Sequence, residues 1–182
     1  MSGPREPGDR EWLRGLYERN RDLVFRYAAS RVGRDAAMDV VSDTFIEANR
    51  SRASFDPSRG SETSWLLGIA TNLIRRWHRN EKRHAAVGLD QPKPAGEEDG
   101  ELAALPDRID LERQAGEIEQ AINDLPEGER AAILLHVVEG LDLKEVAQAL
   151  QINATAAKVR VFRARRRLRS SLAHLQQQEG TK

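Results

Sequence analysis

Apolar residues recur at three- and four-residue spacings through most of the chain, with polar residues between them. Such spacing is typical of helices that bury one face, and no segment shows the period-two alternation of a half-buried strand. The spacing breaks over residues 51–61 and more completely over residues 84–106. The sequence therefore predicts an all-α fold of two small helical domains, at residues 10–83 and 107–175.

The first predicted domain is a bundle of about three helices. Residues 1–9 carry Gly, Pro and charge, and they should form a disordered leader before it. The first helix begins at about Arg10, and the second should run from about Asp35, as its N-cap, to about Asn49. The predicted buried stripe of this second helix consists of Val40, Val41, Thr44, Phe45 and Ala48.

A polar loop and a third helix complete the first domain. Pro57 and Gly60 break the helical period in residues 51–61, where Phe55 is the large apolar residue. Ser64 is a candidate N-cap for the helix that follows. The residues expected to face inward from that helix are Trp65, Leu66, Ile69, Leu73 and Trp77. The cations near its far end are Arg75, Arg76, Arg79, Lys82 and Arg83.

Residues 84–106 are rich in Pro, Gly and acid and lack sustained periodicity, so we expect a flexible acidic linker. In the second domain, one helix should end before Pro126 and another should stop at Gly140. The apolar residues of these helices are Ile109, Ala115, Ile118, Ile122, Leu125, Ile133, Leu134, Val137 and Val138. Residues 176–182 form a polar tail.

Residues 141–169 have the pattern of a helix–turn–helix. A short amphipathic helix is followed by the turn 151–153 and then by a longer basic helix, for which Asn153 is a candidate N-cap. Ala147 is small at the point where two steeply crossing helices need close contact. The apolar stripe of the longer helix consists of Val161, Ala164 and Leu168.

Charge divides the chain into three parts, although 29 basic residues balance 29 acidic residues overall. Residues 1–83 hold 16 basic and 12 acidic residues, residues 84–125 hold 3 and 11, and residues 126–182 hold 10 and 6. Two domains of net charge +4 therefore flank a middle segment of net charge −8. This distribution indicates a polyanionic partner, with nucleic acid as the leading class.

The longer helix of the helix–turn–helix carries cations without a carboxylate, which favours DNA binding over an ordinary αα-corner with a solvated basic helix. Side chains near the start of such a helix reach base edges, whereas later cations fix its register on phosphates. The base-proximal candidates are Lys158, Val159, Phe162 and Arg163. The phosphate candidates are Arg165, Arg166, Arg167 and Arg169. Phe162 could equally belong to the core.

The loop 51–61 and the basic end of the third helix form a second candidate site. Phe55 could hold an unpaired base by stacking, while the backbone phosphates follow the arginines of the helix. Phe55 could instead anchor the loop, and we expect Trp65 and Trp77 to fill the core.

The sequence contains no recognisable catalytic site. It has no cysteine, no Gly-rich phosphate loop and no metal-ligand spacing among its four histidines. We therefore expect a protein that is not an enzyme and uses no cofactor or metal. No apolar run is long enough to span a bilayer, and the first residues lack the apolar stretch of a signal peptide. We expect a cytoplasmic protein without membrane insertion.

Four segments together resemble a bacterial RNA polymerase sigma factor of the extracytoplasmic-function (ECF) subclass of the sigma-70 family. They are DVVSDTF at 39–45, FDPSRGSETSWLLGIATNLIRR at 55–76, LPEGERAAILLHVVEGLDLKEVAQALQI at 125–152 and AKVRVFRARRRLR at 157–169. The resemblance implies that the first domain is sigma region 2 and that the second is sigma region 4.

The resemblance also implies roles for individual residues. Docking on the clamp helices of the largest subunit of core RNA polymerase is implied for Asp39, Val40, Ser42, Asp43 and Glu47. Recognition and melting of the minus-10 promoter element is implied for Phe55, Asp56, Arg59, Ser61, Asn72, Arg75, Arg76 and Arg79. Recognition of the minus-35 element as duplex DNA is implied for Lys158, Val159, Arg160, Phe162, Arg163, Arg165, Arg166 and Arg167. An anti-sigma factor is a further implied partner, beside core polymerase and promoter DNA.

Several positions depart from the family pattern. Gln151 stands where the family often has Gly, Val159 replaces a common Ser, and Asn49 replaces a frequent aromatic residue. The promoter sequence of other members is therefore not transferable to this chain.

Two other functions are alternatives to a sigma factor. A stand-alone helix–turn–helix regulator would bind as a dimer, with the first domain sensing a ligand or pairing subunits. Two basic domains on an acidic tether fit poorly with a symmetric dimer on a palindrome. The other alternative is an adaptor that does not bind DNA and whose basic helices are solvated.

Overall fold

The computed structural model describes residues 7–86 and 106–173. Within these ranges the chain forms helices and no strand, which confirms the all-α prediction there. The helices are α1 (Pro7–Val32), α2 (Arg34–Arg50), α3 (Glu62–Ala86), α4 (Pro106–Asn123), α5 (Glu127–Ile133), α6 (Leu143–Ala149) and α7 (Ala154–Ser171). A 3-10 turn at Arg52–Ser54 follows α2, and a π-helical segment at Leu134–Val138 continues α5.

Helices α1, α2 and α3 pack together as a bundle, which we call lobe 1. All five residues of the predicted α2 stripe are buried, which confirms that prediction. The inward face of α3 differs from its prediction. Leu67, Ala70 and Ile74 are fully buried beside Leu66, whereas Trp65 and three other expected core residues, Ile69, Leu73 and Trp77, are only half-buried. Because α3 packs against α6 as well as against α1 and α2, its buried surface is not a single stripe.

Both predicted N-caps in lobe 1 are wrong by a few residues. Gly33 precedes α2 with φ of 82°, and Asp35 lies in the first turn, where a carboxylate favours the helix dipole. At α3, the Ser61 hydroxyl accepts a hydrogen bond from the Ser64 backbone N–H at 3.2 Å, so Ser61 is the cap. Ser64 instead donates its hydroxyl to the Ser61 carbonyl.

The helix ends also differ from the predicted domain boundaries. Helix α1 begins at Pro7, inside the predicted leader, and α3 continues through Ala86, inside the predicted linker. The predicted leader at 1–6, most of the linker at 87–105 and the tail lie outside the described residues.

Helices α4 to α7 form lobe 2, in which α7 packs on α5 and α6. Asp142 caps α6 by accepting from the backbone N–H groups of Lys144 and Glu145, and Glu145 bonds back to the Asp142 backbone N–H. Asn153 caps α7 as predicted, through the Ala156 N–H at 2.8 Å. This pair of capped helices is the predicted helix–turn–helix.

The π-helical segment changes which apolar residues of lobe 2 are buried. Leu134 and Leu135 are buried, but Val137 and Val138 are more than half exposed. A π-helical segment has more residues per turn than an α-helix, so the face that follows it is rotated. The buried stripe expected from an unbroken helix therefore ends early, before the turn at Gly140, whose φ is 74°.

Candidate nucleic-acid interface

Helix α7 separates a packed face from a face that is open to solvent. Ala157, Val161 and Ala164 are buried against lobe 2. On the other side, Phe162 is 65% exposed and Val159 is 39% exposed. A phenylalanine this exposed contributes little to the core, which resolves the alternative that the sequence left open for it. The remaining exposed residues of this face are Lys158, Arg163, Arg165, Arg166 and Arg169.

Two of the predicted minus-35 arginines also make contacts within lobe 2. The Nε atom of Arg167 lies 3.0 Å from Oε2 of Glu129, whose carboxylate is largely buried. The Arg160 guanidinium lies over Gly128, where a Cβ atom would approach Arg160 Nη1 to 3.1 Å. Both contacts tie α7 to α5, so Arg160 and Arg167 are held by contacts within lobe 2, although Arg167 is also exposed.

An aromatic cluster anchors the loop that follows α2. The ring of Phe55 lies 5.3 Å from the ring of Trp65, which lies 6.5 Å from the ring of Trp12. The Arg52 guanidinium covers Trp12 at 4.7 Å. Phe55 is half-buried in this cluster, which corresponds to the loop-anchor role.

Asp56 shapes the loop. Its Oδ1 atom accepts hydrogen bonds from the Ser58 hydroxyl at 2.7 Å and from the Ser58 backbone N–H at 2.9 Å. These bonds, the hydroxyl bond first, hold the pKa of the Asp56 carboxyl below its ordinary value. The charged carboxylate therefore fixes an Asx turn rather than offering a contact to an anionic backbone.

The loop and α3 enclose a pocket of about 290 Å³. This volume is near the lower end of small-molecule pockets, about 300 to 1,000 Å³, and suits a small planar group such as a nucleobase. Its lobe 1 residues are Ser54, Asp56, Arg59, Trp65, Gly68, Ile69 and Asn72, and lobe 2 adds Gln148 and Gln151. We call this the α3 pocket.

Some of the predicted minus-10 residues lie around the α3 pocket. Asp56, Arg59 and Asn72 line it, and Ser61 caps the helix beside it. Asn72, Arg76 and Arg79 follow at i, i+4 and i+7, so they share one exposed face of α3. A strand with one base in the pocket could therefore extend along the cations Arg76 and Arg79.

The exposed face of α2 carries most of the residues predicted to dock on core polymerase. Asp39, Ser42, Asp43 and Glu47 are exposed. Val40 is only 5% exposed because it faces the core of lobe 1, so its side chain is not part of this exposed face.

Two apolar residues on that face were not predicted from the sequence. Met38 is 61% exposed and Ile46 is 48% exposed. With Ser42 between them, they follow one another at four-residue spacing, so they form a stripe on the helix. The spacing of the buried residues could have revealed this stripe, because residues 38, 42 and 46 fall outside the buried set.

A groove of about 530 Å³ lies beside this stripe, between α1 and α2. Its apolar lining comes from Leu13, Tyr17, Phe45 and Ile46, and its polar lining comes from Arg10, Arg14, Asn49 and Arg50. Asn49 is the position where the resembled family frequently has an aromatic residue.

Among the helices in residues 7–86 and 106–173, none combines the length and the apolar character needed to cross a membrane.

Both lobes match models of the same protein family. The family model for Sigma-70 region 2 matches residues 16–84, and the model for Sigma-70 region 4 matches residues 115–168. The chain is similar to the ECF RNA polymerase sigma factor SigW of Bacillus subtilis, with 30% identity over 179 residues and 92% of each chain covered.

It is also similar to the ECF RNA polymerase sigma factor SigE of Mycolicibacterium smegmatis, with 30% identity over 164 residues. This match covers 87% of the chain but 60% of SigE. The chain likewise spans 61% of the length of BldN of Streptomyces coelicolor.

Two solved structures share the fold. The sigma factor RpoE in complex with the anti-sigma factor NepR from Bartonella quintana matches with a TM-score of 0.62 and 23% identity, over 88% of this chain and 96% of that one. CnrH in complex with the cytosolic domain of CnrY matches with a TM-score of 0.64 and 24% identity, over 91% and 90%.

Proposed function

Because the chain belongs to the ECF subclass of the sigma-70 RNA polymerase sigma factors, we propose that it binds core RNA polymerase and directs initiation at promoters with a minus-10 and a minus-35 element. In this proposal the polymerase performs the chemistry and the chain supplies sequence recognition. It acts where the polymerase acts, in the bacterial cytoplasm.

The observation that carries the proposal is the exposed face of α7. Phe162 and Val159 present apolar surface between Lys158 and Arg163. In the major groove, an arginine can address guanine with two hydrogen bonds, and an apolar side chain can contact the methyl group of thymine. Arg165 and Arg166, further along, would hold phosphates and fix the register. This face suits duplex DNA, which is the state of a minus-35 element.

Lobe 1 suits an unpaired strand. The residues that lobe 1 contributes to the α3 pocket, with Asn72 among them, can contact one unpaired base, and the cations Arg76 and Arg79 continue away from it. Capture of a base outside the duplex can offset part of the cost of strand separation. We assign the minus-10 element to this site.

The exposed face of α2 is the proposed contact with core polymerase. Its apolar stripe, Met38 and Ile46, is flanked by exposed carboxylates. An apolar centre with a charged rim is the usual anatomy of a protein interface. We also propose an anti-sigma partner, because the similar RpoE structure is named as a complex with an anti-sigma factor.

A reconstituted initiation assay tests the proposal. Core polymerase would be mixed with a library of random promoter sequences, with and without the purified chain. We expect specific transcripts only when the chain is present, and a stable complex of chain and core. A chain that forms no complex with core and stimulates no initiation would refute the proposal and favour a stand-alone regulator.

A further inference from the structure

The groove between α1 and α2 has a cationic end. The two helices pack on each other and only Gly33 separates them along the chain, so they run antiparallel. The first residues of α1 therefore lie beside the last residues of α2. Arg10 and Arg14 of α1 share this end of the groove with Asn49 and Arg50 of α2, and all three arginines are exposed.

The other end of the groove is apolar. The rings of Tyr17 and Phe45 lie 4.8 Å apart, edge to face, and Tyr17 is 41% exposed. Ile46, which is 48% exposed, lies beside them, and the half-buried Leu13 lies between the two ends. Water therefore covers apolar surface here that a ligand could bury.

The cations of the groove have few partners of their own. Among the described residues, neither Arg10 nor Arg14 makes a hydrogen bond or an ion pair through its side chain. Arg50 lies 4.0 Å from a carboxylate oxygen of Glu47, at the limit of an ion pair, and both side chains are exposed. No carboxylate lines the groove. The guanidinium groups can therefore accept an anion, and their planar geometry matches a carboxylate.

The dimensions of the groove favour a small ligand. Seven residues separate Arg10 from Tyr17 along α1, which corresponds to about 10 Å. The volume of about 530 Å³ is within the usual range for small-molecule sites. A protein interface has an apolar centre inside a polar rim, whereas this groove has its cations at one end and its apolar surface at the other. This separation matches a molecule with an acidic head and an apolar tail.

We propose that the groove binds a medium-chain carboxylate, with its headgroup on the arginines and its tail against Tyr17, Phe45 and Ile46. Ile46 also belongs to the stripe that we propose as the contact with core polymerase. A bound tail would cover Ile46, so the carboxylate and the polymerase would compete. The competition rests on the proposed function, whereas the binding of the carboxylate does not.

Calorimetric titration of the purified chain with decanoate, below the concentration at which it forms micelles, tests the site. Butyrate has the same headgroup with a short tail, and decyltrimethylammonium has the same tail with a cationic headgroup. We expect saturable binding of decanoate at one site and at least tenfold weaker binding of the other two probes. Equal affinity for decanoate and decyltrimethylammonium, or no saturable binding of decanoate, would overturn the proposal.

Substitutions place the binding in the groove. Arg14→Ala removes an exposed cation of the groove, and Arg34→Ala removes an exposed cation at the opposite end of the same two helices. We expect about tenfold weaker decanoate binding for Arg14→Ala and unchanged binding for Arg34→Ala, since a charge-assisted hydrogen bond is lost only in the first. Asn49→Trp puts a larger side chain into the groove without a change of charge, and it should also weaken binding. Equal affinities of Arg14→Ala and Arg34→Ala would overturn the assignment to this groove.

A competition experiment tests the consequence for polymerase binding. Decanoate should weaken the complex of the parent chain with core polymerase, and it should have less effect on the complex of Arg14→Ala. Unchanged polymerase affinity at saturating decanoate would overturn the competition. Failure of the proposed function is a different result, because the chain would then not bind core polymerase even without decanoate, while the calorimetric titration would still test the groove.

Discussion

One residue of the helix–turn–helix has a strained backbone conformation. Gln151 has φ of 54° in the turn between α6 and α7, a region that residues with a Cβ rarely adopt. The resembled family often has Gly at this position, and the positive φ gives the physical reason. This chain keeps a side chain there, and Gln151 uses it to line the α3 pocket.

Glycine at this position should therefore give a more stable chain than alanine. We expect Gln151→Gly to raise the free energy of unfolding by about 0.5 to 1 kcal/mol relative to Gln151→Ala, because both variants lose the side chain but only glycine relieves the strain. Urea denaturation followed by circular dichroism measures the difference. Equal stability of the two variants would show that the turn is not strained.

Two neighbouring arginines of α7 should differ in role. Both side chains are exposed, but Arg167 also pairs with the largely buried Glu129. We expect Arg166→Ala to weaken duplex binding and to reduce the slope of log K against log salt by about 1, without loss of stability. Arg167→Ala should instead lower the free energy of unfolding by about 1 kcal/mol, since it leaves a buried carboxylate unpaired. Indistinguishable variants would contradict this division.

At the scale of the helix, α2 combines a buried and a docking face. The buried face was predictable from spacing, because Val41, Thr44 and Phe45 pack only within lobe 1. The exposed stripe of Met38 and Ile46 was harder to predict, since an apolar residue in a sequence is first assigned to the core.

The docking role of α2 can be tested with a matched pair of substitutions. Ile46→Arg places a charge on the proposed polymerase contact, and Ile118→Arg makes the same change on an exposed position of α4. We expect about tenfold weaker binding of core polymerase for Ile46→Arg, the effect of losing a central apolar contact. Affinity for duplex DNA should not change. Equal polymerase affinity of the two variants would exclude the α2 stripe as a contact.

Other elements show why periodicity alone was insufficient. The face of α3 was misjudged because α3 packs on a helix from the other lobe. The buried apolar stripe after α5 ends early because the π-helical segment rotates the residues that follow it. The spacing of apolar residues does not predict such a segment. The predicted cap of α7 was correct because Asn153 acts through a local hydrogen bond that tertiary packing does not change.

At the scale of the whole molecule, the contact between the lobes was not predictable from the sequence. It depends on polar pairs such as Ser64 with Gln148, and on the ion pair of the buried Arg31 with the partly exposed Glu127. Polar residues at such long separations along the chain leave no periodic signal. The two basic lobes were predictable, because the net charge of each segment can be counted from the sequence. The contact between the lobes was not predictable.

The stability of the fold should decrease at mildly acidic pH. Burial, followed by the nearby cations Arg31, Arg130 and Lys82, holds the pKa of His78 below its ordinary value of 6.5, and Glu127 partly opposes this shift. The stability that neutral His78 contributes is complete above pH 6.5 and is lost as the pH falls towards its lower folded pKa.

Two carboxylates where the lobes meet are shifted in opposite directions. Burial raises the pKa of Glu139 despite Arg26, and the pKa of Glu127 is lowered overall by Arg31 and Arg130 although burial opposes this. We expect the free energy of unfolding, measured by urea denaturation, to decrease from about pH 7 to about pH 5 in the parent chain and to decrease less in His78→Gln. An identical decrease in both chains would assign the effect to another group.

The central claim is that one chain reads a promoter at two separate sites, and sequencing of the transcripts selected from a random promoter library tests it most directly. With core polymerase and the natural chain, we predict two enriched sequence blocks. Arg163→Ala should relax only the upstream block, because α7 reads duplex DNA. Asn72→Ala should relax only the downstream block, because the α3 pocket holds an unpaired base. A single enriched block, or the same block relaxed by both variants, would contradict the account.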